Sequence, residues 1–204
     1  HASHASHASH ASHASHARTG ALMGALMGAA RPVGRPGRQG VTLVLGGTRS
    51  GKSAVAERLV GDLATHGDGS VTYVATASTI DAEMERRVAV HRARRPLAWR
   101  TVELQSSGEL PTLLSSLDGS VLVDSLGTWV ASAPEFEVDG QALTTALQAR
   151  PGGTVLVSEE VGLSVHPPTA VGRAFVDAVG QLNQAVAAVA DHVLLVVAGR
   201  TVEL

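Results

Sequence analysis

Residues 46–53 read Gly46-Gly47-Thr48-Arg49-Ser50-Gly51-Lys52-Ser53 and fit the pattern G-x-x-x-x-G-K-[ST] in full. Residue types and spacing both suit a polyphosphate. Glycines allow a tight turn and let backbone N–H groups approach phosphate oxygens. A helix beginning near Lys52 aims its unpaired N–H groups and positive dipole end at the same anion. Ser53 offers a hydroxyl to Mg²⁺ beside the phosphates. Lys52 is the single lysine of the chain; the other fifteen of its 16 Lys and Arg residues are arginine. The Ala, Gly, Val and Arg bias is that of a GC-rich coding sequence. A compact ammonium fits the cradle where a wide planar guanidinium does not, so lysine persists here alone.

Two further carboxylate positions lie after apolar runs. Asp124 follows "SVLV" (120–123), where it can hold Mg²⁺ directly or through water, or merely cap a turn. Glu159 and Glu160 follow "TVLVS" (154–158) and compete for the same role; spacing does not separate them. An N-K-x-D guanine-recognition sequence cannot occur, because it would need a second lysine.

His91 lies in "RRVAVHRARRPLAWRTVE", crowded by Arg86, Arg87, Arg92, Arg94 and Arg95, with Arg100 following. Positive neighbours lower a histidine's pKa and favour the neutral, nucleophilic ring, which can attack phosphorus and form a phosphoramidate. The same residues also fit an amphipathic helix with a solvated basic face and His91 at its edge. Nucleic-acid binding lacks support: the patch has Trp99 but no interleaved aromatic residues, and the net charge is −2.

Elements must position these groups. "VTLVL" (41–45), "VTYVATA" (71–77), "SVLVDSL" (120–126), "TVLVSEE" (154–160) and "HVLLVVAG" (192–199) read as strands, the last closing the chain. Helical spacing marks 52–66 through Val55, Leu59 and Leu63. It marks 81–95 with Asp81 at its amino end, and 172–190 through Phe175, Val179, Leu182, Val186 and Val189. Apolar strands separated by helices predict an α/β fold, a mostly parallel sheet covered on both faces. Ligands of such sheets sit beyond the carboxyl ends of the strands, where the 46–53 loop, Asp124 and Glu159/Glu160 all fall.

Residues 1–40 differ in kind. "HASHASHASHASHASHA" is a three-residue repeat, "ALMGALMG" another, and "AARPVGRPGRQG" follows. This composition predicts a low-complexity, disordered extension. Its six histidines could chelate a metal loosely, and its start at His1 reads as a fragment, an over-extended gene boundary or an added tag. Residues 41–204 suit one domain. The chain has no cysteine, hence no disulfide and no thiolate chemistry. No apolar run is long enough to span a membrane, and "ALMGALMGAA" makes a poor signal peptide, so the expectation is a cytoplasmic protein.

The stretches "LGGTRSGKS", "HRARRPLAWRTVE", "LVDSLGTWV" and "VSEEVGLSVHPPT", followed by "GRAFVDAVGQLNQAVAAVADHVLLVVAG", resemble in unbroken order the bifunctional adenosylcobinamide kinase / adenosylcobinamide-phosphate guanylyltransferase family of cobalamin biosynthesis. The resemblance implies a P-loop NTPase-type, RecA-like domain over 41–204 and two reactions. ATP or GTP phosphorylates the hydroxyl of adenosylcobinamide, and a histidine takes GMP from GTP and passes it to adenosylcobinamide phosphate. It implies that His91 is the guanylylated residue and that Lys52 serves both steps. It further implies nucleotide contacts at residues 46–53, at Ala75, Thr76 and Ala77, at Arg92, Ala93, Arg94 and Arg95, and at Glu103 and Asp124. Ser53 and Asp124 would hold Mg²⁺; a homo-oligomer, with a trimer as one form, would follow. Glu160 matches the glutamate of the V-G segment. Ser164, and the pair Ser125 and Gly127, depart from the family pattern at positions expected to touch no reacting group, and 133–152 is expected as a loose surface segment. A P-loop kinase without a covalent step, and a RecA-like nucleotide-dependent binding protein, are the competing readings.

Overall fold

The computed structural model describes residues 40–76, 95–163 and 165–204. The helix expected over 81–95 lies outside them except for Arg95, and so do Ala77, His91, Arg92, Ala93, Arg94 and Ser164.

Among the described residues, seven strands form one sheet: β1 (Val41–Gly46), β2 (Val71–Ala75), β3 (Arg100–Glu103), β4 (Ser120–Asp124), β5 (Thr154–Glu159), β6 (His192–Val197) and β7 (Arg200–Glu203). Their order is β3-β2-β4-β5-β1-β6-β7. Every pairing is parallel except β6 with β7. The helices are α1 (Lys52–Thr65), α2 (Leu110–Ser116), α3 (Leu126–Ser132), α4 (Gly140–Ala149) and α5 (Ala170–Val189).

Strand periodicity sorts the central apolar residues onto two faces. Val41, Leu43, Leu45, Val121, Val123 and Leu156 join the core beneath α2 to α5. Val44, Leu122, Val155 and Val157 meet Val55, Ala56, Val60 and Ala64 of α1 on the other face. Both faces are therefore covered, which is why these strands are apolar throughout. Each fully buried Leu or Val contributes about 1.5–3 kcal/mol by leaving water.

The expected strands and both long described helices are present, with ends moved by at most two residues. Three differences have physical causes. The segment 133–152 is not a loose surface piece: it carries α4, whose Leu143 and Leu147 are wholly buried, with Asp139 Oδ1 accepting from Ala142 N at 2.8 Å. β3 and β7 are edge strands with the same sequence, Arg-Thr-Val-Glu, too polar and short to read as strands. Their charges suit an edge that must not pair with another chain. Finally, β6 does not end the chain; β7 folds back beside it.

Arg150 is an unexpected interior group. It is 3% exposed and donates to Thr154 Oγ1 at 3.1 Å, to the carbonyls of Leu114 (2.7 Å) and Gly119 (2.8 Å), and to that of Leu117. The guanidinium thereby reinforces the carboxyl end of α2, where Leu114 O also accepts from Leu117 N at 3.4 Å, and pairs carbonyls in the loop that follows it. Burial holds its pKa below the ordinary arginine value, with Asp118 acting in the opposite sense.

Candidate nucleotide site

The register brings the strand ends into one row. Gly46 pairs with Glu159, Asp124 with Val157 and with Ala75, and Ala75 with Glu103. The loop from Gly46 to Ser53 leaves this row at the end of β1. A Cβ on Gly46 would stand 2.5 Å from Ser50 Oγ and 2.8 Å from the Val196 carbonyl, so only glycine fits. Gly51 has φ +94°, the left-handed region that glycine enters without strain. Ser50 O accepts from Gly199 N at 2.7 Å, which ties the loop to the β6–β7 turn.

The start of α1, like that of α2, differs from those of α3, α4 and α5. Side chains of Ser125, Asp139 and Thr169 cap α3, α4 and α5. α1 has no side-chain cap and no acidic residue in its first turn. Lys52 N donates to Ser50 Oγ at 3.3 Å within the loop, and the positive end of the helix dipole suits an anion. Lys52 Nζ lies over the loop, donating to Gly47 O at 3.4 Å and pairing with Glu159 Oε1 at 3.5 Å.

Ser53 Oγ lies 3.5 Å from Asp124 Oδ1. A hydroxyl and a carboxylate so placed are oxygen donors of the kind Mg²⁺ would accept beside phosphates and water. Among the described residues no three His, Asp or Glu side chains gather into a fuller metal cage. The other Asp124 oxygen accepts from Tyr73 OH at 3.2 Å. Burial, then the charge of Asp124, push the Tyr73 pKa well above the ordinary phenol value, with Arg95 opposing. The phenol thus stays a donor. Arg95 lies with its guanidinium carbon 3.2 Å from the Tyr73 ring centroid and its Nε 3.8 Å from Glu57 Oε1. Stacking of this kind is favourable, the more so away from water.

Of the positions expected at the nucleotide, the structure brings together residues 46–53, Ala75, Thr76, Arg95 and Asp124. Glu103 ends β3 at the edge of the sheet, two strands from Asp124. Thr76 is buried, its Oγ1 donating to Ser125 O at 2.6 Å, so it braces the β4–α3 turn. The two competing glutamates separate cleanly. Glu160 turns back on its own loop, Oε1 accepting from Gly162 N at 2.6 Å. Glu159 points into the site, where Ser125 Oγ reaches both its oxygens at 3.1 and 3.2 Å. A Cβ on Gly127 would overlap Glu159 Oε2. Ser125 and Gly127, expected to touch no reacting group, therefore shape the carboxylate pocket. Their part depends on the β4–β5 register, and no local sequence pattern announces it. Tyr73 was likewise unmarked, a strand residue whose hydroxyl matters only beside Asp124.

A mostly parallel sheet with its G-x-x-x-x-G-K-S loop after β1 and an aspartate ending β4, one strand removed, is a RecA-like fold of the P-loop NTPase type. Sequence relatives narrow that class. Residues 42–204 match the family described as cobinamide kinase / cobinamide phosphate guanyltransferase. The chain is 42% identical over 165 residues to the bifunctional adenosylcobalamin biosynthesis protein CobP of Pseudomonas aeruginosa, covering 77% of this chain and 92% of that one. It is 36% identical over 184 residues to CobU of Salmonella typhimurium, covering 79% and 98%. The flagellar accessory protein FlaH of Methanocaldococcus jannaschii aligns over 80% of this chain and 75% of its own, with TM-score 0.45 and 14% identity. The chain belongs to the cobinamide kinase / cobinamide phosphate guanyltransferase family, and so to the enzymes that transfer phosphorus-containing groups.

Proposed function

We propose that residues 41–204 form one bifunctional domain. It phosphorylates adenosylcobinamide, then moves GMP from GTP to adenosylcobinamide phosphate through a guanylyl-histidine at His91. The N–H groups of residues 46–53 and the ammonium of Lys52 grip the phosphates of ATP or GTP. Ser53 and Asp124 would hold Mg²⁺, which when bound offsets phosphate charge. Ala75, Thr76 and Ala77, with Arg92, Ala93, Arg94 and Arg95, line the nucleotide, and Glu103 approaches it from the sheet edge. The domain works as a homo-oligomer, a trimer being one form, in the cytoplasm. Residues 1–40 are an extension outside the chemistry.

One observation carries the reading. Arg95 stacks on Tyr73, Tyr73 donates to Asp124, and Asp124 stands beside Ser53 of the phosphate loop. His91 precedes Arg95 by four residues, a separation the chain spans in at most about 14 Å. The same arginine-rich surroundings favour a neutral imidazole and offset phosphate charge.

Intact-protein mass spectrometry after GTP and Mg²⁺ tests this. The expected result is an acid-labile, base-stable GMP adduct on the wild type, absent from His91→Ala. An adduct that persists in His91→Ala removes the assignment. A wild type that phosphorylates adenosylcobinamide and never carries GMP favours a P-loop kinase with no covalent step.

A further inference from the structure

Phosphorylating a hydroxyl releases a proton, and general-base catalysis of that step needs a fixed acceptor at the γ-phosphate. Asp124 is engaged otherwise: its oxygens face Ser53 and Tyr73, and with Ser53 it is the group proposed above to hold Mg²⁺. Glu160 is folded onto Gly162. Glu103 is on β3, three strands from β5, about 14 Å at the usual strand spacing.

Glu159 is differently placed. β5 lies between the phosphate-loop strand and the Asp124 strand. The Glu159 carboxylate is 3.5 Å from Lys52 Nζ, the group that in such loops reaches the β- and γ-phosphates. Three elements fix it. Ser125 donates to both oxygens at 3.1 and 3.2 Å, and Gly127 leaves the space it fills. Behind it, Asn183 Nδ2 of α5 donates to Glu159 O at 3.0 Å, and Glu160 N donates to Gly46 O at 3.1 Å. A carboxylate so anchored is built in, not a passing partner of the lysine.

We propose that Glu159 is the proton acceptor of the kinase reaction, which rests on the function proposed above. When a triphosphate takes the ammonium of Lys52, the carboxylate is left to accept a hydrogen bond from the substrate hydroxyl. The hydroxyl oxygen bonds to the γ-phosphorus and the bond from that phosphorus to the β-bridging oxygen breaks. The nucleoside diphosphate leaves with the electron pair. The hydroxyl proton passes to Glu159 and from there to water as product departs. The GMP reactions need no such acceptor, because their nucleophiles are a neutral imidazole and a phosphate oxyanion. Loss of Glu159 should therefore divide the two activities.

The test compares Glu159→Gln, which keeps the shape, and Glu159→Asp, which keeps the acid, with wild type. The kinase readout is phosphorylation of adenosylcobinamide. The control readout is GMP loading from α-labelled GTP and its transfer to supplied adenosylcobinamide phosphate. Glu159→Gln should lose phosphorylation about 10²-fold or more in kcat and load and transfer GMP within about threefold of wild type. Glu159→Asp should fall between the two in phosphorylation. Near wild-type phosphorylation by Glu159→Gln overturns the proposal. Equal loss of phosphorylation and GMP loading also overturns it, since Glu159 would then be holding nucleotide or fold. A wild type that phosphorylates but takes up no GMP defeats the guanylylation reading alone, because the phosphorylation comparison is made without it.

Discussion

Replacing Lys52 by Arg keeps the charge of the phosphate loop and changes only its shape. Lys52 fits between Gly47 O and Glu159, and a charge-assisted hydrogen bond is worth about 1.5–3 kcal/mol. Lys52→Arg and Lys52→Ala should therefore both weaken triphosphate binding by about tenfold or more by calorimetry, and both should lose phosphorylation and GMP loading. Full turnover in Lys52→Arg would mean that charge alone suffices. Tyr73 allows a second test, because it is the only tyrosine in the chain. Its folded pKa is raised by burial and by Asp124. The folded state thus holds the proton where the unfolded chain, with an ordinary phenol near 10, releases it. The associated stability is complete below about pH 10 and declines as pH rises further, by at most about 1.4 kcal/mol per pH unit. Urea unfolding from pH 8 to 11 should show this decline in wild type and less of it in Tyr73→Phe, and absorbance should show no phenolate at the usual pH while the fold persists. Lys52, Ser53 and Asp124 were legible in the sequence because each carries a local motif or ends an apolar run. Tyr73, Ser125 and the choice of Glu159 over Glu160 were not, because pairing of distant strands gives them their roles.

At the scale of elements, the amino end of α3 connects fold and site. Ser125 both caps α3 and holds Glu159, and Gly127 stands where a side chain would collide with that carboxylate. Gly127→Ala should leave the helix intact, since alanine favours helix by about 1 kcal/mol over glycine. It should displace Glu159 and cut phosphorylation by about tenfold or more while thermal unfolding barely moves. Unchanged phosphorylation would show that the carboxylate has room to shift. Arg150 acts through stability instead. Arg150→Met takes the guanidinium from the carbonyls of Leu114, Leu117 and Gly119, of which Leu114 O keeps only its bond from Leu117 N. The expected loss is about 2–4 kcal/mol in denaturant unfolding, with triphosphate affinity of the folded fraction unchanged. The central strands and the two long described helices were readable because their burial repeats at a fixed period. α4 was harder, being short and rich in Ala, Thr and Gln, and β3 and β7 offer one apolar residue each.

For the whole molecule, the boundary between extension and domain is itself testable. β1 begins at Val41, and the family match begins at residue 42. The packed structure nevertheless reaches one residue further back. Gly40 O accepts from Thr154 N at 3.0 Å, and Val41 N donates to Asp191 Oδ2 at 2.6 Å. These bonds fasten the start of β1 to β5 and to the turn before β6, so they belong to the domain. Deleting residues 1–37 should leave thermal unfolding, phosphorylation and GMP loading unchanged within error, because the removed repeats have too little apolar content to build a core. Deleting one segment more, through Gly40, removes the acceptor of Thr154 N and turns the Val41 amide into an ammonium beside Asp191. That should cost about 1 kcal/mol, visible as a lower midpoint in urea, with both activities kept below the transition. A large loss of either activity on the shorter deletion would make the histidine-rich extension part of the working enzyme.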